Sequence, residues 1–314
     1  MSRKNFYLLI LMLPALIYTK QTKGQDAILS QFFAVPVYIN PAFAGTHKGI
    51  EAVIDFRDHP LADVTNISAF NGSVDAFFPE WNAGLGLIAT SSYMGNMVWT
   101  NNISAVYSYH LQVNASWHAT LGAQAGYYRR DYRWSNLDFL ENGQPPPQQK
   151  WKHAPDFGAG FLLYNKMFYG GAAAHHLTRP NIGLYIDSKV DLKLTAHMGA
   201  YFESEFYMAN SGPYHYFLSP NVIYQKQGPF ERINYGMYAG WQSIMAGAWY
   251  RQDLKGSNTL IFLVGLQFGS FRMGYSYDHS FSGFTDRFHG VNEISISYFF
   301  ERKGPYQPIR CPRF

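Results

Sequence analysis

The chain is poor in cysteine, in charge and in long apolar runs, and each scarcity removes a class of protein. Its one cysteine, Cys311, rules out an internal disulfide, and no Cys/His spacing suggests zinc. Charged residues make up 15%, well under the share usual for a soluble domain. Beyond Tyr18 no apolar stretch is long enough for a membrane helix, and the mean hydropathy is slightly negative, so a helical membrane protein is excluded. The net charge of +4 is small and dispersed and gives no case for nucleic acid. Catalytic signatures are missing too, with no Gly-x-Ser-x-Gly and no His-Glu-x-x-His. Gly84-Leu85-Gly86 and Gly170-Gly171 lack the Lys-Ser/Thr that completes a phosphate loop. His175-His176 with Ser188, and His110 with His118, read as ordinary polar positions in a chain with 11 histidines. The sequence therefore points to no enzyme, no cofactor and no metal.

What is abundant is aromatic residues, 18% of the chain, set in two-residue alternation. In Asn102–Leu111, Ile103, Ala105, Tyr107, Tyr109 and Leu111 share one face, with Asn102, Ser104 and His110 opposite. Trp117–Tyr128, Asp191–Phe202, Phe271–Asp278 and Asn292–Phe300 repeat the pattern, which is that of β-strands with one apolar face. Weaker runs lie near 49–58, 66–78, 83–91, 156–164, 167–176, 215–224, 231–239, 244–251 and 258–268. Low charge, many aromatics and about 14 alternating strands predict an all-β fold, a closed transmembrane antiparallel β-barrel. With the first strand running outward, the odd connections are the outer loops: His59–Thr65, Arg129–Pro155, Leu177–Val190 and His279–Gly290. The even ones are the inner turns: Pro79–Asn82, Gln112–Ala115, Asn165–Lys166, Gly240–Ser243 and Gly269–Ser270, with Glu203–Pro213 a longer exception. A soluble β-sandwich has no reason to keep this asymmetry.

The N-terminus reads as a secretory signal: Arg3 and Lys4, then an apolar run from Phe6 to Tyr18, then Thr22 and Gly24 spaced for cleavage. Residues 1–24 are the expected signal peptide, 25–48 a segment preceding the barrel, 49–300 the barrel and 301–314 a periplasmic tail. An even strand count leaves both termini in the periplasm and the barrel in the outer membrane.

The start of the predicted mature chain carries a family resemblance. It reads Gln25-Asp26, Ser30-Gln31-Phe32-Phe33, then Asn40-Pro41-Ala42-Phe43-Ala44-Gly45. This resembles the PorP/SprF family of Bacteroidetes outer-membrane proteins. Asp55-Phe56-Arg57 stands where that family has an aromatic-Arg step ending its first strand, although Asp58-His59 departs from its continuation. His176-Leu177-Thr178-Arg179-Pro180 and Glu293 to Phe300 are looser matches. The resemblance implies a barrel tied to type IX secretion and gliding motility, which supports surface display of a large secreted, adhesin-like protein or binds other secretion components. Read physically, Pro41 fixes its own φ and pushes Asn40 to extended backbone, and Gly45 permits a left-handed turn, so the box is a rigid turn leading into strand one.

Two functional classes follow: a scaffold that holds a partner protein, and a porin or small-solute channel. For the scaffold, the rim aromatics Trp134, Trp151, Tyr185, Phe281, Phe284 and Phe288, set among Arg and Asp, are the candidate partner contacts.

Overall fold

The computed structural model describes residues 26–32, 34–47, 49–61, 65–95, 97–133, 151–183, 187–207, 213–254, 256, 258–281, 290–300 and 311. Fifteen strand segments run through it: β1 (Ile50–Leu61), β2 (Thr65–Phe78), β3 (Ala83–Met94), β4 (Val98–Gln112), β5 (His118–Tyr132), β6 (Trp151–Tyr164), β7 (Phe168–His175), β8 (Lys193–Ala200), β9 (Phe202–Tyr207), β10 (Pro213–Gln227), β11 (Phe230–Trp241), β12 (Ile244–Asp253), β13 (Thr259–Phe268), β14 (Phe271–Ser280) and β15 (Val291–Phe300). Every pairing is antiparallel and joins chain neighbours except β8 with β10 and β15 with β1, the last of which closes the sheet on itself. β8 and β9 lie end to end along β10 and form one stave, so the closed barrel has fourteen. No helix among the described residues is long and apolar enough to cross a membrane.

The alternation read from sequence is the alternation of the wall. On β4, Ile103, Tyr107, Tyr109 and Leu111 face outward, while Ser104, Val106 and Ser108 are buried within. On β8, Leu194 and Met198 point out and Lys193, Thr195 and His197 point in. The sense is inverted from a water-soluble protein: the exterior is an apolar belt and the buried set includes Glu51, Asp55, Arg57, Asp75, Asp278 and Glu293. That inversion suits a wall with hydrocarbon outside it, and closure leaves no unpaired edge in the bilayer.

The strands run longer than the sequence suggested. β1 continues to Leu61 and β2 begins at Thr65, so the expected loop His59–Thr65 is mostly ladder, with His59 opposite Ile67 and Pro60 opposite Asn66. Arg57 therefore does not end the first strand. The pairing of β1 with β15 stops at Asp58, so the proline lies where one side of β1 has no partner and its missing N–H is tolerated. β5 reaches Tyr132 and β6 starts at Trp151, which trims the expected loop Arg129–Pro155. The exception at Glu203–Pro213 is largely strand: β9 prolongs the β8 stave past the end of β7 and pairs with the start of β10. The remaining long connections, 133–150, 176–192 and 281–290, all leave from one rim, which also carries the short turns at 95–97 and 228–229, while the connections at 79–82, 113–117, 165–167, 242–243 and 269–270 on the other rim are all short.

The outward face should be sensitive to charge. Val264 lies mid-way along β13 and is 58% exposed on the belt. Val264→Arg is expected to lower folding stability by about 2–4 kcal/mol, the cost of a buried cation at the bilayer midplane. Denaturant titration in lipid vesicles measures this, and a neutral result would remove the side chain from lipid.

Candidate functional site

Residues Asp26 to His47, expected simply to precede the barrel, fill its lumen as a plug. A short helix, α1 (Pro36–Ile39), and a 3-10 turn at Pro41–Phe43 are its only regular elements among the described residues. Leu29, Phe32, Val35, Val37, Ile39 and Phe43 pack in one apolar cluster with Leu162, Tyr169, Ile223, Tyr238, Trp249 and Ile261 of the wall. Phe32 meets the Trp249 ring at 4.9 Å, and Phe43 stacks on His197 at 5.1 Å. Cys311, in the expected tail, is buried in the same cluster, and its N–H donates to Thr46 O at 3.1 Å.

Three polar anchors hold the plug, and each coincides with a piece of the N-terminal motif. The first is Asp26. Its Oδ2 lies 2.9 Å from His176 Nε2 and accepts from Lys193 Nζ at 3.2 Å, and the other ring nitrogen of His176 is 2.8 Å from Asp156 Oδ2. Burial opposes charge on His176, but Asp26 and Asp156 outweigh it and raise its pKa to about 10. Burial likewise opposes charge on Asp26, yet His176 and Lys193 hold it well below the usual carboxylate range.

The second anchor is Ser30-Gln31. The Ser30 hydroxyl donates to Asp278 Oδ2 at 2.7 Å and accepts from Arg57 Nη1 at 2.7 Å and Arg251 Nη2 at 2.8 Å, which uses its whole bonding capacity. Glu293 accepts the backbone N–H of Ser30 at 2.8 Å and of Gln31 at 2.7 Å. Arg57 also reaches Glu293 and Asp278 at 2.7 Å each, and Arg251 reaches Asp278 at 3.0 Å. Two cations and two anions are thus matched around one serine. Gln31 is bonded at both ends of its amide, to Glu293 O at 2.7 Å and from Ser295 Oγ at 2.6 Å.

The third anchor is the box Asn40-Pro41-Ala42-Phe43-Ala44-Gly45. Asn40 is extended (φ −152°), as the following proline favours, and Gly45 is left-handed (φ +69°), as glycine permits. The Asn40 amide caps the turn by accepting from Ala42 N at 2.9 Å, and its nitrogen donates to Phe161 O of β6 at 2.9 Å. The wall beneath is a row of small residues in register: Gly84 opposite Ser108, Ser108 opposite Gly122, Gly122 opposite Gly160. A Cβ on Gly84 would sit 2.2 Å from Ala44 O, one on Gly122 2.3 Å from Ala42 N, and one on Gly160 1.9 Å from Asn40 Oδ1. Ser108 Oγ fills its place in the row by donating to Ala44 O at 2.7 Å. The box is therefore a turn and also the part of the plug that lies in a groove across four strands.

Of the histidines noted in the sequence, His110, His175 and His176 meet the plug, while His118 stacks on Tyr164 of the wall at 5.6 Å. His175 Nε2 lies 3.2 Å from Ile39 O and His110 Nε2 2.9 Å from Ala44 O. Among the six rim aromatics, Trp151 and Phe281 are exposed at the long-loop rim. The structure does not bring these two together, because β6 and β14 stand on opposite sides of the barrel. Trp134, Tyr185, Phe284 and Phe288 lie outside the described residues. The glycine row, Arg251 and Asp26 as an anchor were not identified as functional from sequence. The signal that could have found the plug is apolar residues on the inward face, such as Ile261 and Leu263 in β13.

Gly160→Val is expected to unseat the box while leaving the wall intact, whereas Gly72→Ala, whose Cβ would meet nothing nearer than 3.7 Å, is expected to be silent. Hydrogen exchange over residues 26–47 reads this out, and full protection in Gly160→Val would refute the fit. The Asp26–His176 pair gives a pH dependence. The raised pKa of His176 makes its contribution complete below about pH 6.5 and lost as pH climbs through about 10. The lowered pKa of Asp26 makes its contribution present above the ordinary carboxylate range and lost in strong acid. The gap in unfolding temperature between wild type and His176→Gln should therefore be widest near pH 5–6 and shrink towards pH 10. A gap unchanged over that range would contradict the pairing.

A search of curated protein sequences found no match. Among solved structures, the chain resembles the CymD monoaromatic hydrocarbon channel at 11% identity and a TM-score of 0.48, over 86% of this chain and 93% of that one. It resembles the TodX deltaS2S3 mutant monoaromatic hydrocarbon channel at 11% identity and 0.44, over 83% and 93%. The KdgM porin is similar at 9% identity and 0.37, over 79% and 99%. The sequence profile described as "Type IX secretion system membrane protein PorP/SprF" matches residues 21–298, which spans the plug and nearly the whole barrel. The chain belongs to the PorP/SprF family of type IX secretion system membrane proteins.

Proposed function

We propose that this protein is an outer-membrane scaffold of type IX secretion, with a filled lumen and a long-loop rim that faces outward and holds a large secreted protein for surface display, as in gliding motility. The observation that carries this reading is the plug. It is tied to the wall at three polar anchors and packed in an apolar cluster, which favours a fixed lumen over a conducting one. A cavity of about 60 Å³ lies beside it, room for a few waters at most, lined by Asn71, Thr90, Ser91, Asn102, Gln124 and Arg130. A barrel whose interior is occupied offers its loops to a partner, and the rim has suitable anchors. Arg129 stands 5.4 Å over the Trp151 ring, and Phe281 packs edge-on against His279 at 5.1 Å. Aromatic and arginine side chains dominate binding energy at interfaces. The family supports the secretion context.

Gentle detergent extraction from native membranes, followed by mass spectrometry, should recover a secreted type IX substrate or a secretion component at near-stoichiometric level. Trp151→Ala with Phe281→Ala should reduce that recovery several-fold without unfolding the barrel. In planar bilayers the pure protein should show no steady open-pore current. A barrel that purifies alone and conducts ions would favour the small-solute channel instead.

A further inference from the structure

The point where the plug joins the wall carries a further cluster, next to the box, whose Gly45 N–H donates to Asp75 Oδ2 at 2.6 Å. His47 lies near the end of the plug, Glu51 near the start of β1 and Asp75 on β2. All three are buried, at 2%, 2% and 3% exposure. Glu51 and Asp75 are direct cross-strand partners, and both side chains face the lumen. Two carboxylates set opposite each other on neighbouring strands repel, and burial removes the water that would screen them. His47 Nε2 lies 2.8 Å from Asp75 Oδ2 and 3.6 Å from Glu51 Oε2, and the three donor atoms lie within 4.8 Å of one another.

The geometry points to a divalent transition-metal site, with His47 Nε2 and one oxygen each of Glu51 and Asp75 as ligands. One nitrogen and two carboxylate oxygens form a donor set that suits zinc or a similar first-row ion, whereas magnesium and calcium prefer oxygen alone. Around a tetrahedral zinc with bonds of about 2.0–2.1 Å, donor atoms stand roughly 3.3 Å apart, a value that lies between the two His47 spacings of 2.8 and 3.6 Å. Binding exchanges the His47–Asp75 hydrogen bond for two bonds to the ion and leaves one position for water. With His47 neutral, the ion brings the trio from two negative charges to none. Because the ligands come from the plug, β1 and β2, the metal would staple the end of the plug to the first hairpin of the barrel.

The test uses untagged full-length protein in detergent, stripped with chelator, incubated with zinc alone and freed of excess before elemental analysis. Wild type should retain about one zinc per chain, and zinc should raise its unfolding temperature. Magnesium or calcium should do neither. His47→Gln and Asp75→Asn should lose the retained zinc and the shift. The unheated gel mobility of a folded barrel shows which variants are interpretable, and Glu51→Gln is a third variant should either fail to fold. Retention below about a tenth of an equivalent by folded wild type, or equal retention by folded variants, would overturn the site and leave His47 as a plain hydrogen-bond partner of Asp75. Neither result depends on the secretion partner.

Discussion

A fourteen-stranded barrel is wider than its own inward side chains can fill, and the rest of this structure depends on how that space is occupied. A porin leaves the space to water, which lines the lumen with solvated polar groups. Here Asp26 to His47 occupy it, so the inside of the wall must satisfy a folded peptide instead of solvent. Polar groups buried away from the small residual cavity then need a partner within the protein in place of water. The matched set around Ser30 meets that demand: Arg57, Arg251, Asp278 and Glu293 neutralise one another and leave the hydroxyl with three bonds.

The filled lumen gives the wall two apolar environments, lipid outside and plug inside. β13 shows the consequence. Leu260, Phe262 and Val264 alternate with Thr259, Ile261 and Leu263, and apolar residues stand on both faces. Residues 258–268 are accordingly a weak run by alternation and a continuous apolar one by content. The electrostatics are segregated in the same way, with carboxylates and guanidinium groups gathered inside and the belt left free of them.

The N-terminal motif on which the sequence resemblance rests is the part of the chain that docks inside. Asp26, Ser30-Gln31 and Asn40–Gly45 are the three anchors: Asp26 meets β8, the loop before it and β10, Ser30-Gln31 meets β1, β12, β14 and β15, and the box meets β2 to β8. Together they reach most of the circumference. A plug held this broadly can brace the barrel, and two of its anchors, at Asp26 and Ser30, lie toward the rim of the long connections, where Asp26 meets His176.

The sequence by itself determined the barrel. Two-residue periodicity is a local property, set by the pleat, and hydrocarbon on one side makes it legible, so Ile103, Tyr107 and Leu194 could be placed outward without any contact being known. It also limited the backbone of the box, because Pro41 fixes its own φ whatever surrounds it and Gly45 admits the left-handed turn that other residues resist. The tertiary structure alone decided where that box goes. Asn40 and Gly160 are far apart in the chain, as are Ser30 and Glu293, and nothing local marks one as the seat of the other. A glycine in a strand can equally relieve crowding, accept a bulge or admit a neighbouring backbone, and only the plug lying across Gly84, Gly122 and Gly160 selects the last. The opposed placement of Trp151 and Phe281 on the rim is likewise a matter of closure, since how far apart two staves stand depends on how many others complete the ring.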